Sequence, residues 1–130
     1  MSDVYLLDTH ALIWWWGAAD RLSPMASEIL SDPRNTIMVS AVSGLEIATK
    51  VRLGRLPVMA ERVTDFDAAI LAEGFRHLPI GHHVAVRAGL MAGAHRDPFD
   101  RVLAAQALAS DVPLLTRDRE IARFGCKVLW

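Results

Sequence analysis

Four acids mark where this chain can do chemistry. Asp8 follows the apolar run Val4-Tyr5-Leu6-Leu7, and Asp118 follows Pro113-Leu114-Leu115-Thr116-Arg117 near the other terminus. Short apolar runs of this kind read as buried strands. Carboxylates at their carboxyl ends stand at the rim of a sheet, where open α/β folds bind ligands. Taken alone, Asp8 serves equally well as the cap of a following helix. Glu46 lies one to two turns past a third run, Thr36-Ile37-Met38-Val39, within Ser40-Ala41-Val42-Ser43-Gly44-Leu45-Glu46-Ile47-Ala48-Thr49-Lys50. The i, i+3, i+7 spacing of Ser43, Glu46 and Lys50 puts them on one helical stripe. Glu46 and Lys50 also fit a plain surface pair worth about 0.3 kcal/mol.

Asp100 sits in His95-Arg96-Asp97-Pro98-Phe99-Asp100-Arg101. Asp97 before Pro98 has the position of a helix N-cap, and that structural role alone explains it. Asp100 lies a turn further in, where the continuation Val102-Leu103-Ala104-Ala105 is strongly apolar. A carboxylate turned toward a buried face is costly unless paired or metal-bound. Asp97 and Asp100 can face one site, with Arg101 alongside. If Thr116 points into the rim, strand alternation carries Asp118 there too.

Acids converging in a partly buried pocket repel one another by several kcal/mol, and a divalent cation relieves this. No cysteine pair and no histidine at ligand spacing accompanies them, so the donors are hard oxygens. These suit Mg²⁺ or Mn²⁺ and disfavour Zn²⁺. Such ions bind phosphates and activate water for phosphodiester cleavage. His10, His82, His83 and His95 form no paired motif; packing or surface roles are expected, with His95 nearest to substrate.

The elements that must position these residues alternate. Strands are expected at Val4–Leu7, Thr36–Val39, His77–Ile80, Leu114–Thr116 and Lys127–Leu129. Helices are expected from Thr9 or His10 to Trp16, from a Ser23 cap and Pro24 through Leu30, and from Val42 to Leu53, stopping at Gly54. Further helices cover Ala60 to Glu73, His83 to Ala92, and Asp97 to Leu108, with a short turn after Asp118. Gly93 to Arg96 is the most loop-like interior stretch. Helices between strands imply parallel pairing, hence a three-layer α/β/α sandwich around four or five short strands. Trp14, Trp15 and Trp16 cannot share one helical face, so at least one is exposed or covers a neighbour, as packing or as an aromatic patch for a partner chain.

Composition sets the limits. A length of 130 residues fits one domain, residues 1–130, and 52% hydrophobic residues support a real core. No apolar stretch approaches the ~18 residues that span a bilayer. Met1-Ser2-Asp3 lacks a basic leader, so no membrane association and a cytoplasmic location are expected. Cys126 stands alone, which rules out an intrachain disulfide framework, and a small buried apolar role suits it. The net charge of −1 denies the chain a global basic field. An enzyme that meets phosphates through metal ions needs that field less than a simple nucleic-acid binder does.

Over essentially its whole length the chain resembles the PIN-domain ribonucleases, in particular the VapC toxins of type II toxin–antitoxin pairs. Leu7-Asp8-Thr9-His10, Ser40 to Ile47, His95 to Arg101 and Leu115-Thr116-Arg117-Asp118 carry the resemblance. It implies catalytic acids at Asp8, Glu46, Asp100 and Asp118, with metal on Asp8 and Asp100. Asp97 is an extra acid of an Asp-Pro-Phe-Asp-Arg subgroup. Thr9, Ser43 and Thr116 would orient carboxylates or water, and Arg101 would contact a carboxylate or the scissile phosphate. The resemblance further implies a Mg²⁺-dependent endoribonuclease (Mn²⁺ substituting), acting as a toxin that inhibits translation and growth. Its products would carry 5′-phosphates and 3′-hydroxyls, and its partners would be RNA, a small antitoxin and a second copy of the chain. Gly93-Ala94 departs from the Leu-Pro-like residues common among relatives.

Rival assignments fit less well. A receiver-like signalling domain needs an acid closing its third strand, where this chain has Leu78-Pro79-Ile80-Gly81. A haloacid-dehalogenase-like phosphatase needs Asp at position 10, which is His10. A non-catalytic PIN-like scaffold should have lost acids, and all four are present.

Overall fold

The computed structural model describes residues 3–130; the part of the leader expectation that rests on Met1-Ser2 falls outside them. Five strands, β1 Val4–Leu7, β2 Thr36–Ser40, β3 Arg76–Leu78, β4 Leu114–Leu115 and β5 Val128–Leu129, form one parallel sheet in the order β3-β2-β1-β4-β5. Seven α-helices join or flank them: α1 Thr9–Gly17, α2 Pro24–Ser31, α3 Ala41–Arg52, α4 Ala60–Thr64, α5 Phe66–Ala72, α6 His82–Leu90 and α7 Pro98–Ser110. A six-residue 3₁₀ helix, Arg119–Phe124, extends the turn expected after Asp118.

Strand alternation divides the core in two. Leu7, Ile37, Val39 and Leu115 pack against Leu12 of α1, Leu30 of α2, Ile47 of α3 and Ile70 of α5. Leu6 and Leu114 turn the other way, onto Leu103, Ala104 and Ala107 of α7 and onto Ile121. Covered on both faces, the sheet carries near-continuous apolar strands, as buried parallel sheets do. This is the expected three-layer sandwich.

Chain order fixes where a ligand crevice can form. The strands step outward from β1 to β3, and the chain then returns to lay β4 on the other side of β1. The order therefore reverses between β1 and β4, and crevices open at the carboxyl ends of strands at such switch points. Asp8 and Thr116-Arg117-Asp118 follow these two strands.

Several boundaries differ from expectation for identifiable reasons. The helix expected over Ala60 to Glu73 breaks at Asp65, whose extended backbone (φ −143°, ψ 74°) interrupts it and whose carboxylate accepts from Ala68 N to open α5. β3 ends at Leu78 because Pro79 has no N–H to continue the ladder. The tryptophans are half-buried: Trp14 meets Trp130 edge-on, Trp15 lies against Phe75, and Trp16 meets Phe66 edge-on. They cover intramolecular neighbours, which is the packing alternative. Among the described residues no helix is long and apolar enough to cross a membrane.

Candidate active site

Asp8 stands at the carboxyl end of β1, at the switch point of the sheet. Its backbone N–H donates to Leu115 O at 3.1 Å, tying the end of β1 to β4. It occupies the N-cap position of α1, yet its carboxylate makes no capping bond. Oδ2 instead accepts from the Thr116 hydroxyl at 2.9 Å. Oδ1 is buried without any partner. Among the described residues only Gln106 Oε1 shares that condition, and it carries no charge. Burial pushes the Asp8 carboxyl up to about 6; the Thr116 bond and the nearby His10 oppose the shift, and the negative charges of Asp100 and Glu46 add to it.

Thr116 serves two residues at once. While its hydroxyl donates to Asp8, its oxygen accepts from Asp118 N at 3.0 Å. The Asp118 carboxylate caps the 3₁₀ helix through Glu120 N at 2.9 Å. Behind Asp8, the buried hydroxyls of Thr9 and Ser43 lie 2.8 Å apart and join α1 to α3. Glu46 is buried one turn along α3, with Oε2 2.7 Å from Lys50 Nζ. The i, i+4 pair expected from sequence is thus present, with its acid inside rather than on the surface.

A second wall comes from the segment before α7. Half-buried Asp100 places Oδ2 2.8 Å from His95 Nε2. Burial raises the Asp100 carboxyl; its bond to His95 acts against this, and Asp97 and Asp118 add to it. The bond to Asp100 in turn raises His95. Nε2 of His95 and one oxygen each of Asp100 and Asp118 lie within 4.8 Å of one another. Such spacing is one that a metal ion could fit, and it brings a histidine beside two acids that sequence spacing alone does not connect. The i, i+5 separation of His95 and Asp100 fits no helical ligand motif, because the Asp97 cap turns the chain between them.

Two further expectations meet the geometry. Asp97 is exposed and uses Oδ1 to cap α7, accepting from Phe99 N at 2.9 Å and Asp100 N at 3.4 Å. Among the described residues Arg101 forms no ion pair with a carboxylate. Its guanidinium donates to the carbonyls of Ala88 (2.8 Å), His95 (3.0 Å), Gly89 (3.5 Å) and Met91, and lies over the Phe124 ring. The physical reason is the orphaned carbonyl group at the end of α6, which five planar donors are suited to satisfy. Phe124, unremarked in the sequence, also meets the His95 ring edge-on at 5.9 Å. Gly93, at φ +134°, turns the chain where a Cβ would come within 3.1 Å of that ring.

The sequence pattern of the PIN domain matches residues 5–126, nearly the whole chain. The chain belongs to the PIN-domain family. Ribonuclease VapC22 of Mycobacterium tuberculosis (strain ATCC 25618 / H37Rv) is 31% identical over 117 residues, which is 89% of this chain and 88% of that one. Among solved structures, VapBC2 from Rickettsia felis bound to a DNA fragment from their promoter superposes with a TM-score of 0.71 at 16% identity, covering 97% of both chains. FitAcB from Neisseria gonorrhoeae gives 0.63 at 23% identity, over 97% of this chain and 96% of that one. At these identities the superpositions show the PIN fold, with its five-stranded parallel sheet.

Proposed function

We propose that this chain, acting as one PIN domain, is a divalent-cation-dependent endoribonuclease and the toxin of a toxin–antitoxin pair. The observation that carries the proposal is the buried, unpartnered Oδ1 of Asp8 at the sheet's switch point. A charged oxygen there costs free energy unless a cation or proton meets it. Asp8 and Asp100 would hold Mg²⁺, for which Mn²⁺ substitutes, with Glu46 and Asp118 completing the catalytic acids. Bound there, the cation supplies Lewis-acid stabilisation of phosphoryl charge and acidifies water at neutral pH.

The chain's own residues do the rest. Thr116 fixes Asp8 through Oδ2, leaving Oδ1 without a protein donor, and links it to the Asp118 backbone. The Thr9–Ser43 pair holds the α1 start against α3. Lys50 neutralises part of the Glu46 charge without leaving its helix. Asp97 shapes the start of α7, and Arg101 holds the loop that carries His95.

RNA is the substrate by likeness to Ribonuclease VapC22, and cleavage would leave 5′-phosphate and 3′-hydroxyl ends, inhibiting translation and growth. A small antitoxin partner follows from the VapBC2 likeness and from the toxin–antitoxin complex of Klebsiella pneumoniae, which superposes with a TM-score of 0.60 at 18% identity. A second copy of the chain is the further partner, and the exposed apolar side chains Val86 and Leu90 on α6 suit such a contact. The location proposed is the cytoplasm.

The test is induced expression of the wild type and Asp8→Asn in a bacterial host, with sequencing of new 5′-phosphate RNA ends. Growth arrest and discrete cuts from the wild type alone are expected. Soluble, folded protein with no arrest and no new ends in either case would favour a non-catalytic scaffold.

A further inference from the structure

We infer that His95 is a nitrogen ligand of the cation site, making it a mixed nitrogen–oxygen site that serves Mg²⁺ but binds Mn²⁺ more tightly. The inference rests on the metal-dependent reading above and assigns one more donor to it. Ligands about 2.1 Å from an octahedral ion stand roughly 3 Å apart when adjacent and roughly 4 Å when opposite. Nε2 of His95 lies 2.8 Å from Asp100 Oδ2, and the Asp118 oxygen falls within 4.8 Å of both. His95 and Asp100 are therefore at the spacing of adjacent ligands, with the Asp118 oxygen near enough for one ion to draw it in. The buried Asp8 Oδ1, which no protein donor meets, offers a fourth.

The imidazole is held in place independently of its bond to Asp100. Arg101 Nη1 donates to the His95 carbonyl at 3.0 Å. The Phe124 ring meets the imidazole edge-on, and Gly93 makes the turn that lets this ring approach. An ion would replace the proton shared between Nε2 and Asp100: with the remaining proton on Nδ1, the neutral tautomer offers the Nε2 lone pair to the metal. An imidazole donor suits Mn²⁺ better than Mg²⁺, which prefers oxygen and keeps its water.

Pulsed electron paramagnetic resonance of Mn²⁺ on the full chain tests this directly, with calorimetric titrations of Mn²⁺ and Mg²⁺ beside it. Wild type should show ¹⁴N modulation from one imidazole, and His95→Ala should abolish it. Mn²⁺ affinity should fall about tenfold or more in His95→Ala, while Mg²⁺ affinity changes far less. His95→Ala alters a loop side chain whose backbone contacts stay intact, so circular dichroism should be unchanged. A nitrogen-free Mn²⁺ signal that disappears in Asp8→Asn would overturn the ligand assignment and leave the proposed function standing. Equal or tighter Mn²⁺ binding by His95→Ala would also overturn it, reducing the imidazole to a competitor for Asp100. Absence of any Asp8-dependent Mn²⁺ binding would overturn both.

Discussion

The two walls of the crevice are built differently. The inner wall, Asp8, Thr116, Thr9, Ser43 and Glu46, is buried and stands on strand ends, the first turn of α1 and the first two turns of α3. The outer wall, His95, Asp100 and Asp118, is half-buried and depends on a loop, the N-terminus of α7 and a 3₁₀ turn. Inner-wall groups are oriented by one another: Thr116 by Asp8, Thr9 by Ser43. The outer wall is oriented from behind, by Arg101 on four carbonyls and by Phe124 edge-on to the imidazole. A rigid wall carrying an unmet charge thus faces a wall whose geometry one arginine holds. Damage to the first should change chemistry while sparing the fold; damage to the clamp should change both.

The largest effect should come from the inner wall. Asp8→Asn should lower RNA cleavage at least about 100-fold, more than loss of a supporting contact usually costs. The same substitution should raise the melting temperature of metal-free protein at pH 7.5 by about 5 °C, since it removes a buried charge. The sign follows from the carboxyl's position. In the fold it keeps its proton up to about 6, against 3.8 ordinarily. Metal-free stability therefore falls as pH rises through that window, and the loss is complete above it. The gain from Asp8→Asn should be full at pH 7.5 and shrink toward zero near pH 4, as thermal melts across pH would show.

Arg101→Ala comes next and breaks the symmetry of the comparison. It strands carbonyls at the end of α6 and frees the His95 loop, so about 2 kcal/mol of stability should be lost together with most cleavage. Urea titration and cleavage assays measure the two. Had Arg101 served a phosphate instead, activity would fall with stability unchanged.

Thr116→Val should sit between the walls. It removes the one hydrogen bond to the Asp8 carboxylate among the described residues and the acceptor for Asp118 N, so cation affinity should fall about tenfold to 100-fold. Calorimetry on the variant measures it. Asp97→Ala should be the mildest, a lost cap worth about 1 kcal/mol, with cleavage per folded molecule near wild type. A cleavage loss comparable to Asp8→Asn would place Asp97 in the chemistry.

How far each wall is legible in the sequence follows from the same difference. Strand ends announce themselves, because the runs before Asp8 and Asp118 are apolar and the alternation of Leu6 and Leu7 between two cores needs only period two. Glu46 follows from helical spacing after a strand. The three-layer fold comes from that alternation of elements. His95 and Phe124 do not follow from any period: they meet across a cap, a loop and a 3₁₀ turn. The clamp made by Arg101 is hidden for a related reason. Beside Asp100 in sequence it suggests a phosphate or a carboxylate, and nothing in the sequence shows that the carbonyls ending α6 lie within its reach. Local propensity likewise favours one helix over Ala60 to Glu73, and the side chain of Asp65 competes for the backbone and splits it.

Cleavage of RNA by purified protein tests the account most directly, comparing wild type and Asp8→Asn with Mg²⁺ present and after chelation by EDTA. The account predicts cutting by wild type with Mg²⁺, none after chelation, and none from folded Asp8→Asn under either condition. Cleavage by Asp8→Asn at the wild-type rate, or wild-type cleavage that survives EDTA, would contradict it.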